Sequence, residues 1–240
     1  MNVKEYLENK RVLLSDDEVH IFLVEFNLFN SEECMQFLTK AECERAEKLK
    51  VKDKREQFVI TRCVLRNILS QCIDKPTHEI HLSYGEHGKP KIRDTLNNKA
   101  IEFNISHSGA YALIAITLGN TIGVDIEEIN KSIDYQSLAK RFFSGQEISE
   151  FFALDKEKQC EVFYCVWSRK EAFIKATGKG IAYGLDQFSV SLATGKKTGL
   201  ETEVHVLSGD NWFCYDVVEL EGYKTALAAS SQQSAIVLYQ

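Results

Sequence analysis

Three stretches of the chain place ionisable side chains where phosphate chemistry could use them. Gly123-Val124-Asp125-Ile126-Glu127 reads as a strand. Side chains alternate along a strand, so Asp125 and Glu127 share one face while Val124 and Ile126 bury the other. Two carboxylates about 7 Å apart on one face repel unless a cation lies between them. Hard oxygen ligands of this kind suit Mg²⁺, which takes one or two carboxylates and leaves positions for phosphate and water; a solvent-facing strand end with surface acids is the other reading. In the second stretch, Phe163, Val166, Trp167, Ile174 and Thr177 trace one helical stripe, with Lys170 and Glu171 interrupting it. Charges inside an apolar stripe are costly unless they are paired or bind something. Glu171 and Lys175 lie four apart, hence on one face, which an ordinary salt bridge would also explain. The third stretch is Phe103-Asn104-Ile105-Ser106-His107-Ser108-Gly109, preceded by Gly88-Lys89-Pro90. A histidine between two serines can offer several donors to an anion, or be a plain turn residue, and Gly-Lys-Pro can be a plain surface turn. Together these groups are the parts of a Mg²⁺-assisted attack on a phosphate diester or anhydride.

The elements that must hold them can be read from periodicity and punctuation. Residues 18–27 are apolar on both faces and predict a buried strand. A helix is expected from Ser31, and a long helical stretch from Ala41 to Cys72, with Phe58, Val59, Arg62, Leu65, Arg66 and Leu69 at three-and-four spacing. Strands are expected at Ile80–Ser83, Ala100–Ile105 and Tyr111–Thr117, with a turn at Gly109. Leu118-Gly119-Asn120 would turn the chain into Ile122–Ile126 as a hairpin. Ser144 and Glu147 form a capping-box pattern opening a helix at 145–154. A further helix from about Cys160 to Thr177 closes at Gly178 and Gly180. Phe188–Leu192, Glu203–Val206, Trp212–Leu220, Tyr223–Ala229 and Ala235–Tyr239 read as strands, so the class is α+β. No internal repeat is visible.

The 240 residues allow one large domain or two small ones, and the two prolines and absent Gly/Ser-rich linker predict halves packed together. A net charge of −6 argues against a general nucleic-acid binder, so any polyanion must be gripped by a local patch. No stretch is apolar enough for a membrane span, and the polar N-terminus carries no signal-peptide pattern. The seven cysteines are odd in number and scattered, as for free thiols in a reducing cytoplasm, and they show no zinc spacing.

Gly123–Glu127 and Trp167-Ser168-Arg169-Lys170-Glu171-Ala172-Phe173-Ile174-Lys175 resemble the two signature motifs of the 4′-phosphopantetheinyl transferases, with the spacing between them that the family shows. Gly88-Lys89-Pro90 and Phe103–Ser108 resemble two further family motifs in the expected order, and the length is that of the surfactin-type (Sfp-type) subgroup. The resemblance, which covers about residues 40–185, implies transfer of the 4′-phosphopantetheine arm of coenzyme A to a serine of an apo carrier protein, releasing adenosine 3′,5′-bisphosphate. It implies Asp125, Glu127 and Glu171 as magnesium ligands, Glu171 as general base, and Lys175 as the lysine on the pyrophosphate. Ser106 and His107 would bind nucleotide phosphates, and Gly88, Lys89 and Pro90 the loop beside the adenine. Arg45, with Lys48 and Arg55 as companions, would grip the 3′-phosphate, although acids at 42, 44 and 47 blur the register. Phe143–Glu147 resembles a segment that helps dock the carrier. The implied fold is two similar α+β halves, 1–118 and 119–240, packed pseudo-symmetrically around the cleft that holds coenzyme A. The duplicated length implies a monomer. A Mg²⁺-dependent nucleotide pyrophosphohydrolase would need a denser Glu-Glu helix motif, and a non-catalytic binding module predicts loss of Glu171 or Lys175.

Overall fold

Strand β1 (Glu18–Glu25) is buried on both faces because layers lie on both sides of it. The computed structural model describes residues 3–7, 12–85, 90–180, 183–194, 200–206 and 212–240. A short helix α1 (Val3–Leu7) precedes β1, and three helices follow it: α2 (Ser31–Met35), α3 (Lys40–Glu47) and α4 (Lys52–Ile73). Then come β2 (Leu82–Tyr84), β3 (Pro90–Ile92), β4 (Thr95–Leu96), β5 (Lys99–Ser108) and β6 (Tyr111–Leu118). Strand β7 (Ile122–Glu128) opens a second series with α5 (Tyr135–Phe142), α6 (Gly145–Phe152) and α7 (Lys156–Thr177). It closes with β8 (Phe188–Ser189), β9 (Leu200–Val206), β10 (Trp212–Asp216), β11 (Tyr223–Ala229) and β12 (Ala235–Tyr239).

The two series repeat one plan. In each, an opening strand is followed by helices that end in one of 22 residues, and an antiparallel meander returns to pair with the opening strand. The first sheet runs β12-β1-β6-β5-β4 and the second β7-β11-β10-β9-β8, so the α+β halves are pseudo-symmetric. The last strand, β12, crosses back to lie parallel to β1 in the first sheet. Alternation along the strands sorts the side chains into layers. Phe22, Val24, Ile114 and Ile116 pack with Val64, Leu65 and Ile68 of α4. Val19, Ile21, Leu113 and Ala115 pack instead against Val124, Ile126, Leu227 and Ala229 of the second sheet. Beyond that sheet, Phe163, Val166, Ala172 and Phe173 of α7 meet Cys214, Ala226 and Ala228. The order is helix, sheet, sheet, helix.

Several expectations change. The hairpin of β6 with residues 122–126 does not form, because β6 is already paired on one edge with β1 and on the other with β5. Gly119, at φ +80°, releases the chain into a new sheet, where β7 pairs with β11. The long helix from Ala41 divides, with extended Val51 separating α3 from α4. Helix α2 begins at Ser31 as expected, and Asn30 caps it by accepting from the Glu32 and Glu33 amides. The capping box of Ser144 and Glu147 and the left-handed Gly178 at the end of α7 stand where the residues predicted them. The seven cysteines are free thiols. Among the described residues, no helix is long and apolar enough to cross a membrane.

Candidate functional site

Three alternate residues of β5 reach across to β7, although the two strands share no backbone ladder. Asn104 Oδ1 accepts the Val124 amide at 2.9 Å, Ser106 Oγ donates to Asp125 Oδ1 at 2.8 Å, and Ser108 Oγ accepts the Glu128 amide at 3.0 Å. These polar side chains substitute for main-chain pairing, and they set β5 and β7 in register.

On its other side β7 lies tight against α7. A Cβ on Gly123 would sit 2.1 Å from the Ala172 carbonyl oxygen and 2.3 Å from the Ala176 amide nitrogen. Only a glycine fits, and the facing residues are alanines. This approach carries Glu171 and Lys175 to the acidic face of β7, whose opposite face buries Val124 and Ile126. Lys175 Nζ then donates to Asp125 Oδ1 at 2.6 Å and to Ser106 Oγ at 2.7 Å.

Asp125 is 2% exposed, and its Oδ2 has no hydrogen-bond partner. Burial pushes its pKa up, against the opposing pull of Lys175 and Ser106. Glu127 is pushed up to about 7 by burial and by the neighbouring Asp125, while Trp167 Nε1 donates to its Oε1 at 3.2 Å. Glu171 is raised by burial and by Asp125. The three carboxylates thus bear on one another, and each would be relieved by a cation. Among the described residues, no three His, Cys, Asp or Glu side chains enclose a metal position by themselves. The donor set with its orphaned Oδ2 fits a hard divalent ion whose remaining ligands are phosphate oxygens and water.

Lys170, one residue before Glu171, points the other way. It is fully buried, donates to the Leu185 and Phe188 carbonyls at 2.7 Å each, and pairs with Glu147 at 2.7 Å. Glu147 in turn accepts the Ser144 and Val190 amides. The two charges that break the α7 stripe therefore have separate tasks: Lys170 ties the helix to α6 and the following loop, and Glu171 faces the site.

The other expected residues scatter more widely. His107 is on the exposed side of β5, where desolvation of the ring and the ammonium groups of Lys54 and Lys175 hold its pKa below the ordinary value. Gly88 and Lys89 lie outside the described residues. Pro90 pairs with Tyr84 across β2 and β3. Above the Tyr84 ring stands Arg45 at 5.3 Å, with Arg62 at 5.8 Å, and both guanidiniums also stack near Phe58. Glu42, one of the acids near Arg45, is occupied internally by Arg66 at 2.7 Å and by Arg62 at 3.5 Å. Lys48 is exposed at the C-cap of α3. Arg55 lines a groove with Ser31, Glu32 and Glu47.

Two basic groups beyond the expected set stand here. Arg62 is 6% exposed with Nη1 unpartnered, and its signal in the sequence was a charge inside the apolar stripe of α4. Lys54 acts on His107 from the first turn of α4, and only a run of mixed charges marked it in the sequence.

A family model described as 4′-phosphopantetheinyl transferase superfamily matches residues 121–228, and one described as 4′-phosphopantetheinyl transferase, N-terminal, matches residues 29–118. The 4′-phosphopantetheinyl transferase HetI of Nostoc sp. is 30% identical over 217 residues, covering 88% of this chain and 90% of that protein. The 4′-phosphopantetheinyl transferase Sfp of Bacillus subtilis is 35% identical over 202 residues, covering 83% of this chain and 85% of that protein. A Synechocystis sp. relative is 38% identical over 150 residues, which is 62% of this chain and 61% of that protein's own length.

Proposed function

The chain belongs to the 4′-phosphopantetheinyl transferase superfamily, and from that premise we propose that its acidic cleft transfers the 4′-phosphopantetheine arm of coenzyme A to a serine of an apo carrier protein. The observation that carries this reading is the Ser106–Asp125–Lys175 network with Glu127 and Glu171 beside it. Asp125, Glu127 and Glu171 would hold Mg²⁺, which when bound would neutralise charge that develops on the departing 5′-phosphate as the pyrophosphate linkage of coenzyme A is split.

The rest of the reaction falls to the chain's own residues. Glu171, its pKa raised toward the working pH, takes the proton of the carrier serine. The serine oxygen bonds to the phosphorus that bears pantetheine, and the P–O bond to the bridging oxygen breaks. That oxygen leaves on adenosine 3′,5′-bisphosphate. Lys175 supplies positive charge to the pyrophosphate as the bond breaks. Ser106, His107 and Lys54 line the path to the nucleotide phosphates. Arg45 and Arg62, held against Phe58 and Tyr84, would take the 3′-phosphate, with Lys48 at the margin and Gly88, Lys89 and Pro90 beside the adenine.

Seven free cysteines suit a reducing cytoplasm, and the presence of both halves in one chain suits a monomer. The surfactin-type likeness suggests carriers of nonribosomal peptide and antibiotic synthesis among the partners. Intact-protein mass spectrometry of an apo carrier incubated with the protein, Mg²⁺ and coenzyme A tests the activity. A phosphopantetheine-sized gain is expected, and no gain over a wide range of enzyme concentrations sinks the reading.

A further inference from the structure

We propose that Lys175 is a resident cation for Asp125, one that competes with divalent metal for this carboxylate and gives it up when coenzyme A draws the ammonium to its phosphates. The inference rests on the reading of the cleft given above and adds a regulation of it: tight metal binding is made to depend on the co-substrate.

The geometry supports an exchange rather than a permanent pair. Asp125 is almost wholly buried, and a carboxylate so placed is costly without a countercharge. Lys175 supplies that charge at Oδ1 from 2.6 Å and shares Ser106 with it, while Oδ2 stays unpartnered. The arrangement meets the carboxylate's need by half. The lysine side chain is 29% exposed against 3% for Asp125, so its flexible four-carbon stem reaches the carboxylate from the solvent side. The neighbouring carboxylates sharpen the competition. Glu127 and Glu171 draw a cation to the same place, and Lys175 counters the charge of both. A divalent ion arriving alone must sit beside an ammonium group already bonded to one of its ligands, and like charges at such a distance repel strongly. Coenzyme A would relieve that conflict, because the phosphates of its pyrophosphate are anionic and can take the ammonium in place of Asp125. A ligand that favours one of two arrangements shifts the equilibrium between them, and by reciprocity metal and coenzyme A then favour each other.

The test measures metal binding to the protein without coenzyme A, with Mn²⁺ as the probe and electron paramagnetic resonance of the free ion as readout. Wild type, Lys175→Met, Lys175→Gln, Lys175→Arg and Asp125→Asn are compared at one pH, with circular dichroism confirming that each is folded. Lys175→Met and Lys175→Gln should each bind Mn²⁺ about tenfold or more tighter than wild type, within the usual span of coupling between sites. Lys175→Arg, which keeps the charge, should stay near wild type. Unchanged or weaker binding in the folded Met and Gln variants overturns the proposal. Mn²⁺ binding by Asp125→Asn that equals wild type would instead overturn the assignment of Asp125 as a metal ligand, and with it that part of the proposed function.

Discussion

At the residue scale the site is a set of groups whose environments hold them away from their ordinary charge behaviour. Glu171, its pKa raised by burial and by Asp125, is the base in the proposed reaction. Glu171→Gln keeps the shape and removes the base, so turnover should fall by about 10²–10⁴-fold with the fold intact. Single-turnover assays showing wild-type rates would remove the role. His107 allows a second prediction. Desolvation first, then Lys54 and Lys175, hold its pKa below the ordinary value, so the imidazole is neutral at pH 7. A folded pKa below the unfolded one means that the unfolded chain takes up the proton first as pH falls. The protein without ligand therefore loses stability from His107 below about pH 6.5. A bound phosphate reverses the sign of the local field, and the imidazole proton shifts in NMR should then titrate at higher pH with coenzyme A than without it; an unchanged midpoint would detach His107 from the anion. Glu171 was legible in the sequence because it breaks an apolar stripe, Asp125 and Glu127 because they share one face of a strand, and Lys175 because it lies four residues after Glu171. Arg62 broke an apolar stripe too, that of α4, but nothing in the chain says that Tyr84, from strand β2, would roof it.

At the element scale the question is why β7 and α7 lie close enough for their side chains to meet. Gly123 answers it, since any Cβ there would strike the Ala172 carbonyl and the Ala176 amide. Its backbone lies inside a strand, so what it supplies is space, not conformational freedom. Gly123→Ala should push α7 outward, at about 1–3 kcal/mol for overpacking a close-packed core. The same shift moves Glu171 and Lys175 relative to Asp125, and misplacement of this size can cost about 10²-fold in rate. The expected signature is thus a loss in kcat larger than the change in urea stability implies, and an enzyme with full kcat would show the contact to be slack. Elements were readable where a local pattern decides them, as with the Ser144–Glu147 capping box and the end of α7 at Gly178. The supposed hairpin into residues 122–126 failed because strand pairing depends on which edges are already taken. One edge of β6 is filled by β1, distant in sequence, and the other by β5, joined to β6 through the preceding turn.

At the scale of the whole molecule, two similar halves meet through an apolar plate and a line of polar side chains, and the two contribute differently. The plate, with Val19, Ile21 and Leu113 against Val124, Ile126 and Leu227, supplies adhesion, but hydrophobic contact is non-directional and tolerates sliding. Asn104, Ser106 and Ser108 meet fixed atoms of β7, so they set the register that places Ser106 and His107 of one half against Asp125 and Lys175 of the other. This division of labour was hidden in the chain, because the halves share a plan of strands and helices without a visible sequence repeat. It can be tested at Asn104, which is buried and lies outside the charged cluster. Asn104→Ala leaves the Val124 amide without its acceptor, at a cost of about 1–3 kcal/mol for an unsatisfied buried donor. Asn104→Asp keeps an acceptor in place and should recover most of the lost kcat, although it adds a charge. If register is what Asn104 supplies, the alanine variant should remain folded and bind coenzyme A through the first half, yet lose kcat by about tenfold or more as the second half drifts. Equal kcat in the alanine variant and wild type would mean that the apolar plate alone aligns the halves.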